Sequence, residues 1–213
     1  MYPMCIRGSS KMVGKRAITK KTLPEVIADD VRERILSGEL GEGATIRQEV
    51  LAEEYDVSRM PIREALKRLD AEGLVTFTNN RGATVTKHSL REIGEIFDLR
   101  ALIEVDMFRR AIPLMTEKDF VYCDTILKKM EESYGEDDVA KWGELNFSFH
   151  SALYAAADRE LTLEVLSRLG LQADRYVRMN LSVMQQRDSA KKEHSALLSL
   201  ARAGKVDEAC ILL

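Results

Sequence analysis

The apolar residues of this chain change their period at one place. Before it they recur every three or four positions; from Leu74 to Lys87 they alternate, as Leu74-Val75-Thr76-Phe77-Thr78, a polar turn at Asn79-Asn80-Arg81-Gly82, then Ala83-Thr84-Val85-Thr86-Lys87. Alternation on both sides of a glycine-containing turn is the pattern of a β-hairpin. Past Ser89 the strand signals vanish for the rest of the chain. The pattern therefore predicts a mainly α protein, in which a small α+β head precedes an all-helical remainder, with the boundary near Lys87 to Ser89.

Ahead of the hairpin stand three short helices. Thr22-Leu23-Pro24-Glu25 fits a capping box with proline in the first turn, Ile27, Val31 and Ile35 repeat on one face, and Gly38 stops the helix. A link from Glu39 to Thr45 leads to a second helix carrying Val50, Leu51 and Tyr55. The third begins after Asp56-Val57 with Ser58 as N-cap, buries Ile62, Ala65, Leu66 and Leu69, and ends at Gly73. Three helices followed by a hairpin is the winged helix-turn-helix order. A second capping box, Ser89-Leu90-Arg91-Glu92, opens the remainder, with helices expected at about 90–112, 117–132, 137–157, 160–183, 190–203 and from 206 onward, punctuated by Pro113, Gly135 and Gly204. The expected organisation is a flexible basic leader over 1–21, a winged helix-turn-helix over 22–88, and a helical bundle over 89–213 that serves as an effector domain.

Composition narrows the class further. No run of about 18 uncharged apolar residues is present, and residues 1–21 lack the apolar core of a signal peptide, which predicts a cytoplasmic protein that does not enter a membrane. Cys5, Cys123 and Cys210 are scattered and odd in number, which argues against a disulfide framework or a thiolate zinc site. The net charge is −3, but residues 1–90 carry 15 basic against 13 acidic side chains, so the acidity lies in the rest of the chain. So weak a bias does not establish nucleic-acid binding; a local basic face would.

Such a face can be read in the third helix. With Ile62, Ala65, Leu66 and Leu69 turned inward, Arg59 and Arg63 lie four apart on the opposite side, near the helix N-terminus. Backbone amides, the helix dipole and Ser58 can hold a phosphate there, and an arginine can grip guanine O6 and N7 in a bidentate fork. Arg81-Gly82 at the hairpin tip suits a wing that probes a narrow minor groove.

These residues carry a resemblance. Ile35 to Leu40, Leu51 to Leu66, Leu69 to Val75 and Asn80 to Ala83 resemble the GntR family of bacterial regulators over about 60 residues. The resemblance implies that Ser58, Arg59, Met60, Arg63, Arg81 and Gly82 lie at the DNA surface, with Arg47 at the start of the second helix as a weaker candidate. Glu42-Gly43 replaces the family's usual Pro-Gly and should alter only loop stiffness.

A second constellation lies in the helical half. Asn146 and His150 share one helix face, and His194 stands on a later helix; two imidazoles and an amide oxygen can converge on one divalent cation inside a bundle, and equally each histidine can be a hydrogen-bonded core residue. Arg100-Ala101-Leu102-Ile103-Glu104, Leu145 to His150 and Glu193-His194 resemble the ligand domain of the FadR subgroup, the FCD domain, over roughly 90–213. The resemblance implies a metal set of Asn146, His150 and His194 for an ion such as zinc or nickel. A fourth histidine of that set, 22 residues after His194, would fall at 216, beyond Leu213, so the expectation is either a chain cut short or an incomplete site. Asn in place of the family's Asp removes a negative charge and should weaken metal affinity.

Arg100 sits among Ile93, Ile96, Ile103 and Phe108, which have the spacing of buried residues, so it should meet Glu104 or an anionic ligand. The resemblance turns it toward an effector cavity, and Arg175, Arg178 and Tyr176 are further candidates for binding a carboxylate. The expected function is a homodimeric repressor of palindromic operator DNA, controlled by a small carboxylated metabolite rather than a long acyl thioester. The competing reading is a metal-dependent hydrolase built on His150 and His194, but no H-E-x-x-H, G-x-S-x-G or P-loop accompanies them. A helical interaction protein with a vestigial head is the third, and the intact Arg59, Arg63 and Arg81 weigh against it.

Overall fold

The computed structural model describes residues 21–79, 81–135, 139–184 and 187–213. The leader expected over 1–21 lies, Lys21 apart, outside the described residues, as does Asn80 of the hairpin turn.

The head begins where its caps dictate. Helix α1 spans Leu23–Leu36, and the Thr22 amide donates to Glu25 Oε2 at 2.7 Å, closing the expected capping box. Helix α2 is Gln48–Glu54 and α3 is Arg59–Ala71; between them Asp56 takes φ +51°, the left-handed value that turns the chain from one helix into the next. Ile27, Val31 and Ile35 of α1 and Ile62, Leu66 and Leu69 of α3 form one core. Each of these α3 side chains is fully buried, and removal from water stabilises the fold by about 1.5–3 kcal/mol apiece.

The sheet has one more strand than the sequence pattern suggests. Strands β2 (Val75–Thr78) and β3 (Gly82–Val85) form the expected hairpin, Val75 opposite Val85 and Thr78 opposite Gly82. On the far side of β3 lies β1, Thr45–Ile46, so the antiparallel order is β1-β3-β2. Two residues are too few to display a period, and the segment reads as a link.

The second core is built from helices that follow one another closely. Helix α4, Leu90–Ala111, starts at a full capping box, with the Glu92 amide donating to Ser89 Oγ and the Ser89 amide to Glu92 Oε2. A 3-10 turn at Ile112–Leu114 holds Pro113. Then come α5 (Glu117–Gly135), α6 (Val139–Ala155), α7 (Glu160–Met184), α8 (Arg187–Arg202) and α9 (Val206–Leu212). Phe108, Trp142, Phe149, Leu153 and Tyr154 anchor this core, which shares no residue with that of the head.

The two cores meet along α1 and α7. The Tyr176 hydroxyl donates to Glu42 Oε1 at 2.6 Å, its ring lies edge-on to His88 at 6.4 Å, and Arg178 Nη1 donates to Glu33 Oε1 at 2.7 Å. These contacts fix which face of the bundle looks at the head, and the Arg178–Glu33 pair lines a cavity between the two.

Candidate DNA interface and effector cavity

Helix α3 divides its two faces sharply. Ile62, Ala65, Leu66 and Leu69 have no exposed surface, while Arg59, Met60 and Arg63 point to solvent and Ser58 precedes them in the extended conformation of an N-cap. The Ser58 side chain makes no capping hydrogen bond, unlike Ser89, so its hydroxyl is available to an incoming acceptor. Arg63 Nη2 donates to Asn79 Oδ1 of the hairpin at 3.4 Å, and the Phe77 amide donates to Asp70 Oδ1 at 2.9 Å, which ties the wing to α3. Arg81 is exposed at the tip, and Arg47 is exposed as the N-cap of α2. A carboxylate from α2 intrudes on this cationic face: Glu49 Oε1 lies 3.0 Å from Arg59 Nη1. Nothing in the sequence pattern singles Glu49 out, because its neighbour is on another helix.

Gly82 does not belong to this surface. It is buried, with φ +103°, and a Cβ there would stand 2.1 Å from the Ile46 carbonyl oxygen. Close passage of β1 over β3 demands this glycine, so its role is in the sheet rather than at the expected wing contact.

The second site is a cavity of about 610 Å³ between α1, α4, α6 and α7, a size that suits a small metabolite. Arg100, Asn146, His150 and Arg178 line it, as the sequence reading expects of effector residues. Two further candidates, Arg175 and His194, do not: His194 is buried with its Nε2 against that of His150, and Arg175 lies at the α1–α7 seam beside Gly38, with Nη1 buried and without a hydrogen-bond partner. Arg178, three residues further along α7, lines the cavity and also reaches Glu33 across the seam.

The cavity wall contains a continuous chain of hydrogen bonds. Arg100 Nε donates to Glu104 Oε1 at 2.9 Å, as its burial requires. Tyr154 donates its hydroxyl to Glu104 Oε2 at 2.8 Å; burial, with Glu104 beside it, holds this phenol well above its ordinary pKa, so it stays a donor. The Tyr154 oxygen can then accept from His150 Nδ1 at 3.2 Å, which leaves the lone pair of His150 on Nε2. Facing that atom at 3.3 Å is His194 Nε2. Burial lowers the His150 pKa to about 4, with the Arg100 charge adding to it, and lowers that of His194 to about 3, with His150 adding to it. Both imidazoles are neutral at pH 7, the form that ligates a metal.

Their separation suits an ion. Two nitrogens each about 2.05 Å from a tetrahedral zinc stand roughly 3.3 Å apart, and the Tyr154–Glu104 pair supplies the outer hydrogen bond that fixes a ligating imidazole. Among the described residues no group of three His, Cys, Asp or Glu side chains could hold an ion. The Asn146 amide, expected from the sequence as a third ligand, lines the same cavity as His150. Tyr154 escapes the sequence reading because an aromatic residue at helical spacing reads as core.

A winged helix-turn-helix head packed on a helical bundle that encloses an arginine-bearing cavity defines a class of two-domain proteins, and comparison supplies the family. Residues 23–85 match the model of the bacterial regulatory proteins of the gntR family, and residues 95–213 match the FCD domain. The chain is 30% identical over 199 residues to the HTH-type transcriptional regulator BphR of Paraburkholderia xenovorans, covering 91% of this chain and 81% of that protein. It is 28% identical over 157 residues to the gluconate operon transcriptional repressor of Bacillus subtilis, covering 74% of this chain and 64% of the relative. The fold superposes on that of Escherichia coli McbR/YncC with a TM-score of 0.77, at 20% identity and over 91% and 92% of the two chains. The chain belongs to the GntR family of bacterial regulatory proteins and carries an FCD domain. Among the described residues no helix is long and apolar enough to cross a membrane.

Proposed function

We propose that this protein is a homodimeric, cytoplasmic repressor that reads operator DNA with α3 and the wing, and releases it in response to a small carboxylated metabolite held in the α1–α4–α6–α7 cavity. The observation that carries the DNA reading is the division of α3: a fully buried aliphatic side and, opposite it, Arg59 and Arg63 exposed next to the wing. A helix entering the major groove needs both halves of that arrangement. Arg59 and Arg63 reach bases or phosphates, Ser58 and Met60 flank them, Arg81 enters the adjacent groove, and Arg47 meets the backbone.

For the ligand, the guanidinium groups of Arg100 and Arg178 and the amide of Asn146 at one cavity favour an organic acid. The name of the gluconate operon relatives points to the same chemistry, a carboxylated sugar. A divalent ion held by His150 and His194, with Asn146, would offer an open position to the acid's oxygens. Because a ligand can shift operator affinity only by its preference for one arrangement of the two heads, the acid must bind one arrangement better.

The test is fluorescence anisotropy on a duplex selected from random sequence by the full chain. Arg59→Ala and Arg63→Ala should each weaken binding about 5- to 150-fold, and the phosphate-contacting member should lower the salt slope by about 1. Unchanged affinity in both variants removes α3 as the reading element.

A further inference from the structure

The cavity is not confined to the helical domain, and this bears on how it communicates. Asp29, Arg32, Glu33 and Leu36 of α1, a head helix, form part of its wall. An occupant therefore touches the head directly. Five cationic side chains line the cavity, and five carboxylates line it too. No surplus of positive charge awaits an anion, so an entering carboxylate must compete with one that is already there.

The guanidinium groups differ in how firmly their partners hold. Arg32 is fully engaged inside the head: Nε and Nη2 donate to the two oxygens of Glu72 at 2.8 and 2.7 Å, and Nη1 to Asp29 Oδ1 at 2.6 Å. Arg100 holds Glu104, whose side chain is only 9% exposed and whose second oxygen accepts from Tyr154. Displacing Glu104 would strand a buried carboxylate, which costs several kcal/mol. Arg178 is placed differently. Its Nε donates to Asp174 Oδ2 at 2.8 Å, one turn away in α7, and its Nη1 to Glu33 Oε1 at 2.7 Å, across the domain seam. The Arg178 side chain is 8% exposed, whereas Glu33 is 45% exposed and can return to water at little cost. Gly143 of α6 lets the guanidinium lie against the cavity wall, since a Cβ there would stand 2.7 Å from Arg178 Nε.

We infer that Arg178 is the contested group: a carboxylate entering the cavity takes its guanidinium from Glu33 and so unlatches α1 of the head from α7 of the bundle. The inference rests on the reading of the cavity as an acid-binding site and assigns the contact through which occupancy reaches the head. Helix α1 carries the consequence onward, because Ile27, Val31 and Ile35 pack in one core with Ile62 and Leu66 of α3. Release of Glu33 removes one polar tie of the seam while the Tyr176–Glu42 hydrogen bond stays, which loosens the head and lets it change its orientation.

Competition has a signature that a merely structural salt bridge lacks. In calorimetric titration of the full chain with gluconate, citrate and succinate, at least one acid should bind. Glu33→Gln, which keeps shape but loses charge, should bind it about tenfold tighter, equivalent to about 1.4 kcal/mol, while Arg178→Lys should bind it at least tenfold more weakly. Amide hydrogen exchange in residues 23–36 should rise when the acid binds the wild-type chain, to the level that Glu33→Gln shows without it. Equal or weaker binding by Glu33→Gln, acid binding with α1 exchange unchanged, or failure of all three acids to bind either form overturns the inference. Should Arg178→Lys melt early, Glu33→Gln still decides the matter. No DNA enters these measurements, so their failure is separable from failure of the operator reading.

Discussion

Tyr154→Phe removes one oxygen from the cavity wall and almost no volume, which isolates the contribution of that atom. The hydroxyl donates to Glu104 at 2.8 Å and lies 3.2 Å from His150 Nδ1, and the residue is fully buried, so no water replaces it. A hydrogen bond to a charged group contributes about 1.5–3 kcal/mol and a neutral one about 1 kcal/mol. The ring keeps its edge contact with Phe108 at 5.9 Å. A net loss of roughly 2–4 kcal/mol is therefore expected, nearly all of it from stranded polar atoms. Trp142, the one tryptophan of the chain, is 4% exposed in the same core, so its fluorescence in urea reports unfolding of the bundle rather than of the head. The midpoint should fall with an unchanged slope. Combined with Glu104→Gln in a double-mutant cycle, the pair should couple by about 0.5–3 kcal/mol. A loss below about 0.5 kcal/mol, or additive effects, would refute the bridging role and with it the tautomer assigned to His150.

Other outcomes follow from the same packing. Gly82→Ala sets a methyl group 2.1 Å from the Ile46 oxygen at φ +103°, so β1 should detach and the head lose at least about 1–3 kcal/mol; Gly41→Ala, with nothing within 4 Å, should be silent in the same melting assay. The folded pKa values of about 4 and 3 for His150 and His194 lie below the ordinary 6.5. The unfolded chain therefore binds more protons than the folded one in that window, and the stabilising contribution is complete above about pH 6.5 and lost as pH falls toward 4 and then 3. Denaturant titrations at pH 7 and pH 5 should differ by about 2 kcal/mol for each imidazole; a flat profile would mean that the pair is not buried as neutral rings. If the pair holds a divalent ion, a chelator should lower the melting temperature of the wild-type chain and leave His194→Ala unmoved. Equal melting with and without chelator and added zinc argues against the ion.

What was legible in the sequence is what local physics decides. Both capping boxes, at Thr22 and Ser89, and the buried stripe of α3 depend on residues within a turn or two of one another, and each appears as expected. Arg100 finds Glu104 for the same reason, the partner being four residues away. The rest depends on contacts between distant segments. Tyr154 meets Glu104 across 50 residues and Arg178 meets Glu33 across 145, and no period or spacing carries such a pairing. Gly82 misleads because a glycine after an exposed turn suits a wing tip as well as a crowded strand, and only the position of β1 distinguishes the two. Arg175 misleads because α7 serves the seam and the cavity from adjacent turns.

The joint claim, that α3 reads DNA and that an acid in the cavity governs the reading, is most directly tested by titrating a fluorescent operator duplex with the full chain, with and without whichever acid raises its melting temperature. Operator affinity should fall at least about tenfold at saturating acid, an allosteric coupling of about 1.4 kcal/mol or more. Saturation of the cavity with operator affinity unmoved would contradict it.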